Sequence, residues 1–233
     1  MNSYKLFSDK LKGLLELDDD PVAIFLSPSR PSGVKRINKP MPACSMWGKA
    51  RHEVFYAVGK DHYPCPVGTE VLGFELTLGR KAAKEKVYAR LKGFGIRTQE
   101  AIERIGERTP KITIGKINSI MYGPLKSAQT DPDVVLLICD PGQAMKLAEG
   151  SGREDGAAPC ALLNMPACAV VSSTYLSGKP AVNLACHGSR KLVPVKTEKL
   201  LFGIPGKKLA TFLKNLEKVI DGRKRLDEST FQG

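Results

Sequence analysis

Two short stretches of this sequence carry the same pattern. Asp20-Pro21 opens the apolar run Val22-Ala23-Ile24-Phe25-Leu26, and Asp131-Pro132-Asp133 opens Val134-Val135-Leu136-Leu137. A nearly unbroken apolar run of this length, bounded by proline, reads as a strand buried on both faces. Each run leads through a loop to a cysteine pair of similar spacing, Cys44 with Cys65 and Cys168 with Cys186. Glycine soon follows the second cysteine in both, as Cys65-Pro66-Val67-Gly68 and Cys186-His187-Gly188, and each half ends in a basic amphipathic helix. This is the signature of a diverged internal duplication, with Glu149–Ala158 inserted in the second copy. It predicts a mixed α+β protein: one compact domain over 1–233, with two similar lobes at about 18–110 and 129–222 around a central sheet or pair of sheets. A pseudo-twofold axis would bring the two cysteine loops together.

Helical spacing of apolar residues predicts helices at Tyr4–Leu17, Cys44–Val58, Arg80–Lys92, Gln99–Ile105 and Lys207–Asp221, with another beginning at Gln143 behind the cap and turn of Asp140-Pro141-Gly142. Alternation of Ile112, Ile114, Ile120 and Tyr122 predicts a strand or hairpin within Pro110–Pro124. Ala167–Tyr175 fits a helix or a strand, and Ala181–Ala185 a strand.

No stretch of about 18 apolar residues occurs, which argues against a membrane span. The first residues lack the apolar run and cleavage site of a signal peptide. Six cysteines in 233 residues are too few for a disulfide scaffold. The expected compartment is therefore reducing and cytoplasmic, with free thiols or metal thiolates. The net charge of +12, from 36 Lys and Arg against 24 Asp and Glu, is concentrated in Arg80–Lys111 and Lys191–Arg225. No zinc-finger spacing, ribonucleoprotein signature or Arg-rich arm accompanies it, so nucleic acid is an unlikely partner; a small anionic molecule or a redox partner protein fits the charge better. Phosphate-binding and dinucleotide-binding glycine loops, His-Glu-x-x-His and Gly-x-Ser-x-Gly are all absent.

Loops rich in proline and glycine hold thiolates rigidly, so Cys44, Cys65, Cys168 and Cys186 form the expected metal set, for an iron–sulfur cluster or for zinc. There is no Cys-x-x-Cys, and the site must be assembled from distant segments. Cys160 is an alternative to Cys168, and Cys139, inside an apolar strand, reads as core filler. Trp47, Lys49, His62, His187 and Arg190 stand near the same loops and are the expected cofactor-binding residues. They suit an anionic small molecule or a tetrapyrrole with a Cys or His axial ligand. A third reading is a thiol enzyme with Cys65 or Cys186 as nucleophile and His62 or His187 as base.

Cys44, the segment Tyr63-Pro64-Cys65-Pro66-Val67-Gly68 with Leu72-Gly73, and Val182-Asn183-Leu184-Ala185-Cys186-His187-Gly188-Ser189-Arg190, followed by Glu198 and Gly203-Ile204-Pro205-Gly206, together resemble the archaeal and bacterial ArCR family, domain of unknown function 169. The likeness runs from about Asp20 to Val219. It implies a prokaryotic cytoplasmic protein and directs attention to the same four cysteines, without implying an activity.

Overall fold

The computed structural model describes residues 3–192 and 195–230. Met1 and Asn2, ahead of the expected first helix, and Val193 and Pro194, within the second basic stretch and the second expected lobe, lie outside the described residues.

In chain order the first half holds α1 (Ser3–Leu15), β1 (Val22–Ser27), α2 (Ala43–Ala50), β2 (Phe55–Val58), α3 (Gly59–His62), α4 (Pro66–Val71), α5 (Leu78–Gly93), α6 (Gln99–Arg108) and β3 (Ser119–Pro124). The second holds β4 (Val134–Cys139), α7 (Pro141–Gly152), β5 (Cys160–Ala161), α8 (Ala169–Ser177), β6 (Ala181–Asn183), α9 (His187–Leu192), β7 (Leu200–Pro205) and α10 (Leu209–Thr230). The strands form one seven-stranded mixed sheet in the order β2-β3-β1-β4-β7-β6-β5.

The apolar runs that open each half are β1 and β4, and they lie side by side in the middle of the sheet, antiparallel. Their unbroken hydrophobicity follows from period-two geometry with both faces covered. Val22, Ile24, Val134 and Leu136 enter one core with α2, α8 and Trp47; Ala23, Val135, Leu137 and Cys139 enter the other with α1, α7 and α10. Outward from this seam the order is mirrored, β3 then β2 on one side and β7 then β6 on the other, and all of these pairs are antiparallel. That is the pairing a duplicated three-strand unit would give. The halves share one sheet, and β3 falls outside the span of about 18–110 expected for the first lobe.

Two expected elements differ. The helix expected over Cys44–Val58 ends at Ala50, and Phe55–Val58 is instead a strand paired with β3. The period-four series runs on to Val54 and Val58 by coincidence, since Val54 is exposed while Phe55 and Ala57 alternate into the core. Within Pro110–Pro124 only Ser119–Pro124 is strand; Ile112 and Ile117 plug the core from irregular chain.

Helix ends are set locally. Asp140 and Gln143 form a reciprocal capping box at α7, and Gly178 closes α8 in the left-handed region at φ 61°. At Gly206, just after β7, an added Cβ would lie 1.8 Å from the Pro132 carbonyl oxygen that precedes β4. Gly206→Ala is therefore expected to cost about 3 kcal/mol of stability or more. Gly222→Ala, with open space around it in α10, should be neutral or slightly stabilising. Urea denaturation of the two variants measures the contrast.

Candidate metal centre

The four paired cysteines come together on the α2/α8 face of the sheet, each at the start of a helix. Cys44 is the second residue of α2, Cys65 caps α4, Cys168 caps α8, and Cys186 immediately precedes α9. The two halves match in detail. The Cys65 sulfur accepts the Gly68 N–H at 3.4 Å, and the Cys186 sulfur accepts the Ser189 N–H, also at 3.4 Å. Each thiol thus does the work of a Ser or Asp cap, three residues from its donor.

Burial sets the proton affinity of Cys44, Cys65 and Cys168, and the proximity of the other thiols adds to it. Loss of solvation pushes Cys44 up to about 12, with further contributions from Cys65 and Cys186. Burial raises Cys168 well above the ordinary thiol value, with Cys65, Cys44 and Cys186 all adding to the effect. Cys65 is raised by burial and by Cys186, against the opposing Gly68 N–H. All four therefore stand close enough to feel one another's charge. A Cβ placed on Gly68 would lie 3.0 Å from the Cys168 sulfur and 3.4 Å from that of Cys65, so one point touches thiols from both halves. Among the described residues, no three His, Cys, Asp or Glu side chains are disposed to hold a single metal ion.

Cys160 is half-buried in the short edge strand β5 and packs against the same core as Cys44, Cys168 and Cys186. Cys139 lies in the opposite core, as expected of a filler.

Polar staples fix the loops. Asn183 donates to the carbonyls of Leu162, Met165 and Pro166 ahead of Cys168, and accepts the N–H of Ala185 ahead of Cys186. Ala185 itself is left-handed at φ 65°, a conformation uncommon for a residue with a Cβ, where the chain turns Cys186 into α9. Thr69 donates to the carbonyls of His62 and Cys65. The carboxylate of Asp61 takes a two-point bond from Arg36 and accepts the Val58 N–H, which secures α3.

The other expected residues have varied surroundings. His62 is 1% exposed; its Nδ1 pairs with the Val58 carbonyl oxygen at 3.0 Å and its Nε2 with the Tyr122 hydroxyl at 3.0 Å. A carbonyl only accepts, so Nδ1 carries the hydrogen and Tyr122 donates to Nε2. His62 is thus engaged with Val58 and Tyr122 rather than with Cys65. Trp47 is buried, and its Nε1 has no hydrogen-bond partner. Lys49 pairs with Glu53 and sits over the Phe55 ring. His187 is exposed at the start of α9. Arg190 spends its guanidinium on the backbone carbonyls of Leu184, Val195, Lys196, Thr197 and Lys199, tying the Cys186 loop to the entry of β7.

Tyr122 was not singled out from the sequence. It is buried in β3 opposite Ile24 and Phe55, and Cys168 and Cys44 add to the burial that raises its pKa. Nothing local marks it. Gly68 and Ser189 do carry a legible signal: each follows a cysteine by three residues, the spacing of an N-cap and its donor.

A family model described as uncharacterised ArCR, domain of unknown function 169, matches residues 10–215. An uncharacterized protein of Methanocaldococcus jannaschii is 26% identical over 225 residues, covering 93% of this chain and 95% of that protein. No solved structure matches the chain.

Two measurements follow from the burial. In the folded, metal-free protein at pH 8, an alkylating reagent should label Cys44 and Cys168 at least about tenfold more slowly than in the urea-unfolded chain, because the thiolate is the reactive form. Mass spectrometry of peptides reads the rates. Burial also lowers His62 from 6.5 to about 4. As pH falls the unfolded chain takes up this proton first, so the stability tied to neutral His62 is complete above about pH 6.5 and declines towards about pH 4, by roughly 3 kcal/mol in all. Urea unfolding across that interval should show the decline, and His62→Gln should flatten it.

Proposed function

The chain belongs to the uncharacterised ArCR family, and within it we propose a cysteine-ligated iron–sulfur protein that carries electrons, its cluster held by Cys44, Cys65, Cys168 and Cys186. The observation that carries this reading is the convergence of two cysteine pairs, distant in sequence, into one electrostatically coupled group.

Thiolates on one zinc all sit about 2.3 Å from the same atom, whereas the irons of a cluster divide the protein thiolates among themselves, and an all-cysteine donor set is the chemistry such clusters take. The Gly68 and Ser189 N–H groups already point at sulfur, and such donors stabilise thiolates and tune cluster potential. Loading must displace the protons that burial holds on Cys44 and Cys168, so cluster uptake should increase with pH.

Both nitrogens of His62 are engaged, so His62 offers a tetrapyrrole no axial ligand, and burial raises Cys65 rather than lowering it as a nucleophile requires.

Anaerobic reconstitution with ferrous iron and sulfide tests the proposal. The expected product is coloured, contains iron and sulfide in equal amounts, and bleaches with dithionite. Cys65→Ser, Cys186→Ser and Gly68→Ala, the last placing a methyl between two sulfurs, should each lower the iron content. Protein that stays colourless and retains neither element would overturn the reading.

A further inference from the structure

The segment Glu149–Ala158, read from the sequence as an insertion, closes one side of a second cleft, on the α7/α10 face of the sheet and so opposite to the four paired cysteines. The loop is fixed from within. Gly156 donates to the Gly152 carbonyl at 2.7 Å, Asp155 accepts the Ala157 N–H at 2.9 Å, and a Cβ on Gly152 would lie 2.7 Å from the Ala157 oxygen. Beside it α7 and α10 meet closely, since a Cβ on Gly150 would stand 3.3 Å from the Leu216 Cα. The other side of the cleft comes from the sheet. Strands β6 and β7 are antiparallel with Ala181 opposite Gly203, so Lys179-Pro180 ahead of β6 and Pro205 to Lys208 at the end of β7 emerge together. The cleft holds about 380 Å³, a volume ordinary for small-molecule sites.

Its lining contains groups that the protein leaves unanswered. Asn215, in α10, is the buried polar side chain of the lining, 6% exposed, and its Oδ1 has no hydrogen-bond partner. A buried amide oxygen without a donor is costly, and a ligand N–H removes that cost. Lys179 and Lys208 are exposed and make no ion pair among the described residues. The loop contributes the carboxylates of Glu154 and Asp155, while Pro180, Pro205 and Phe212 supply apolar surface.

We propose that this cleft binds an adenine nucleoside monophosphate. The exocyclic amino group of the base donates to Asn215 Oδ1, the pairing by which an amide side chain reads adenine, and the ring lies against the prolines and Phe212. Ribose hydroxyls donate to the loop carboxylates, as they do to the acidic residue of dinucleotide sites. The phosphate meets Lys179 and Lys208 at the sheet end, where charge-assisted bonds form. Each polar group of the lining thus finds a partner on one molecule, whereas an inorganic anion would engage the lysines alone. A monophosphate held by side chains needs no phosphate-binding glycine loop, which the chain lacks. The cleft is independent of the cysteine centre.

Calorimetric titration at low salt with adenosine monophosphate, adenosine and inorganic phosphate tests the proposal. The monophosphate should bind at one site, adenosine about tenfold or more weakly, and phosphate without saturation in the millimolar range. The double variant Lys179→Ala/Lys208→Ala should bind the monophosphate no better than adenosine, with adenosine binding and circular dichroism unchanged. Asn215→Leu should weaken both ligands by about tenfold. Its ligand-free thermal stability should equal or exceed that of the parent, because the orphaned oxygen is gone; a purely structural Asn215 would lose stability and leave the affinities as they were. Absence of monophosphate binding at millimolar concentration would overturn the proposal. So would phosphate that binds as tightly as the nucleotide, or nucleotide binding indifferent to both variants.

Discussion

Val22, Ala23 and Ile24 pair antiparallel with Leu136, Val135 and Val134, and Asp133 bonds across the same seam to the Leu26 N–H. Antiparallel neighbours are related by a rotation about an axis normal to the sheet, an operation that leaves each face on its own side. Elements in equivalent places in the two halves therefore meet on a common face. In the expected duplication, helix α2 would correspond to α8, and the Cys65 cap of α4 to the Cys186 turn before α9. Had β1 and β4 been related by an axis within the sheet plane, the two cysteine loops would lie on opposite faces.

The parts of this architecture that were legible in the sequence are those decided locally. β1 and β4 stand out because strands covered on both faces need apolar residues throughout. The cysteine pairs stand out because their spacings are similar, and α7 and α10 because caps and period are local. β2 was hidden by an accidental continuation of the helical period through Val54. Tyr122 acquires its position from register with Phe55 and Ile24, pairings that no local window contains. The expected cofactor residues show the limit of proximity in sequence: Arg190 lies four residues from Cys186, yet its guanidinium is taken up by backbone carbonyls.

Four thiols in an apolar pocket are inexpensive while protonated, since a neutral cysteine packs as a small hydrophobe. As thiolates they would repel one another in a medium of low dielectric, which is the reason burial and mutual coupling raise Cys44, Cys65 and Cys168 together. Only a multivalent cationic centre reverses that balance. His62 and Tyr122 contribute no charge to it: one is held neutral and the other holds its proton, both by burial. The N–H groups of Gly68 and Ser189 are aimed at the sulfurs of Cys65 and Cys186.

A thiolate-ligated cluster is itself net negative, so loading would leave an anionic centre near the α5 side of the molecule. The basic excess assigned to Arg80–Lys111 then has a physical reason to lie where it does. Lys84 and Lys111 are committed to Glu70, which leaves the outward row of Lys81, Lys86, Arg90 and Lys92 in solvent. A cationic helix bridging the Cys65 and Cys168 loops would offset the charge that such loading brings to the pocket.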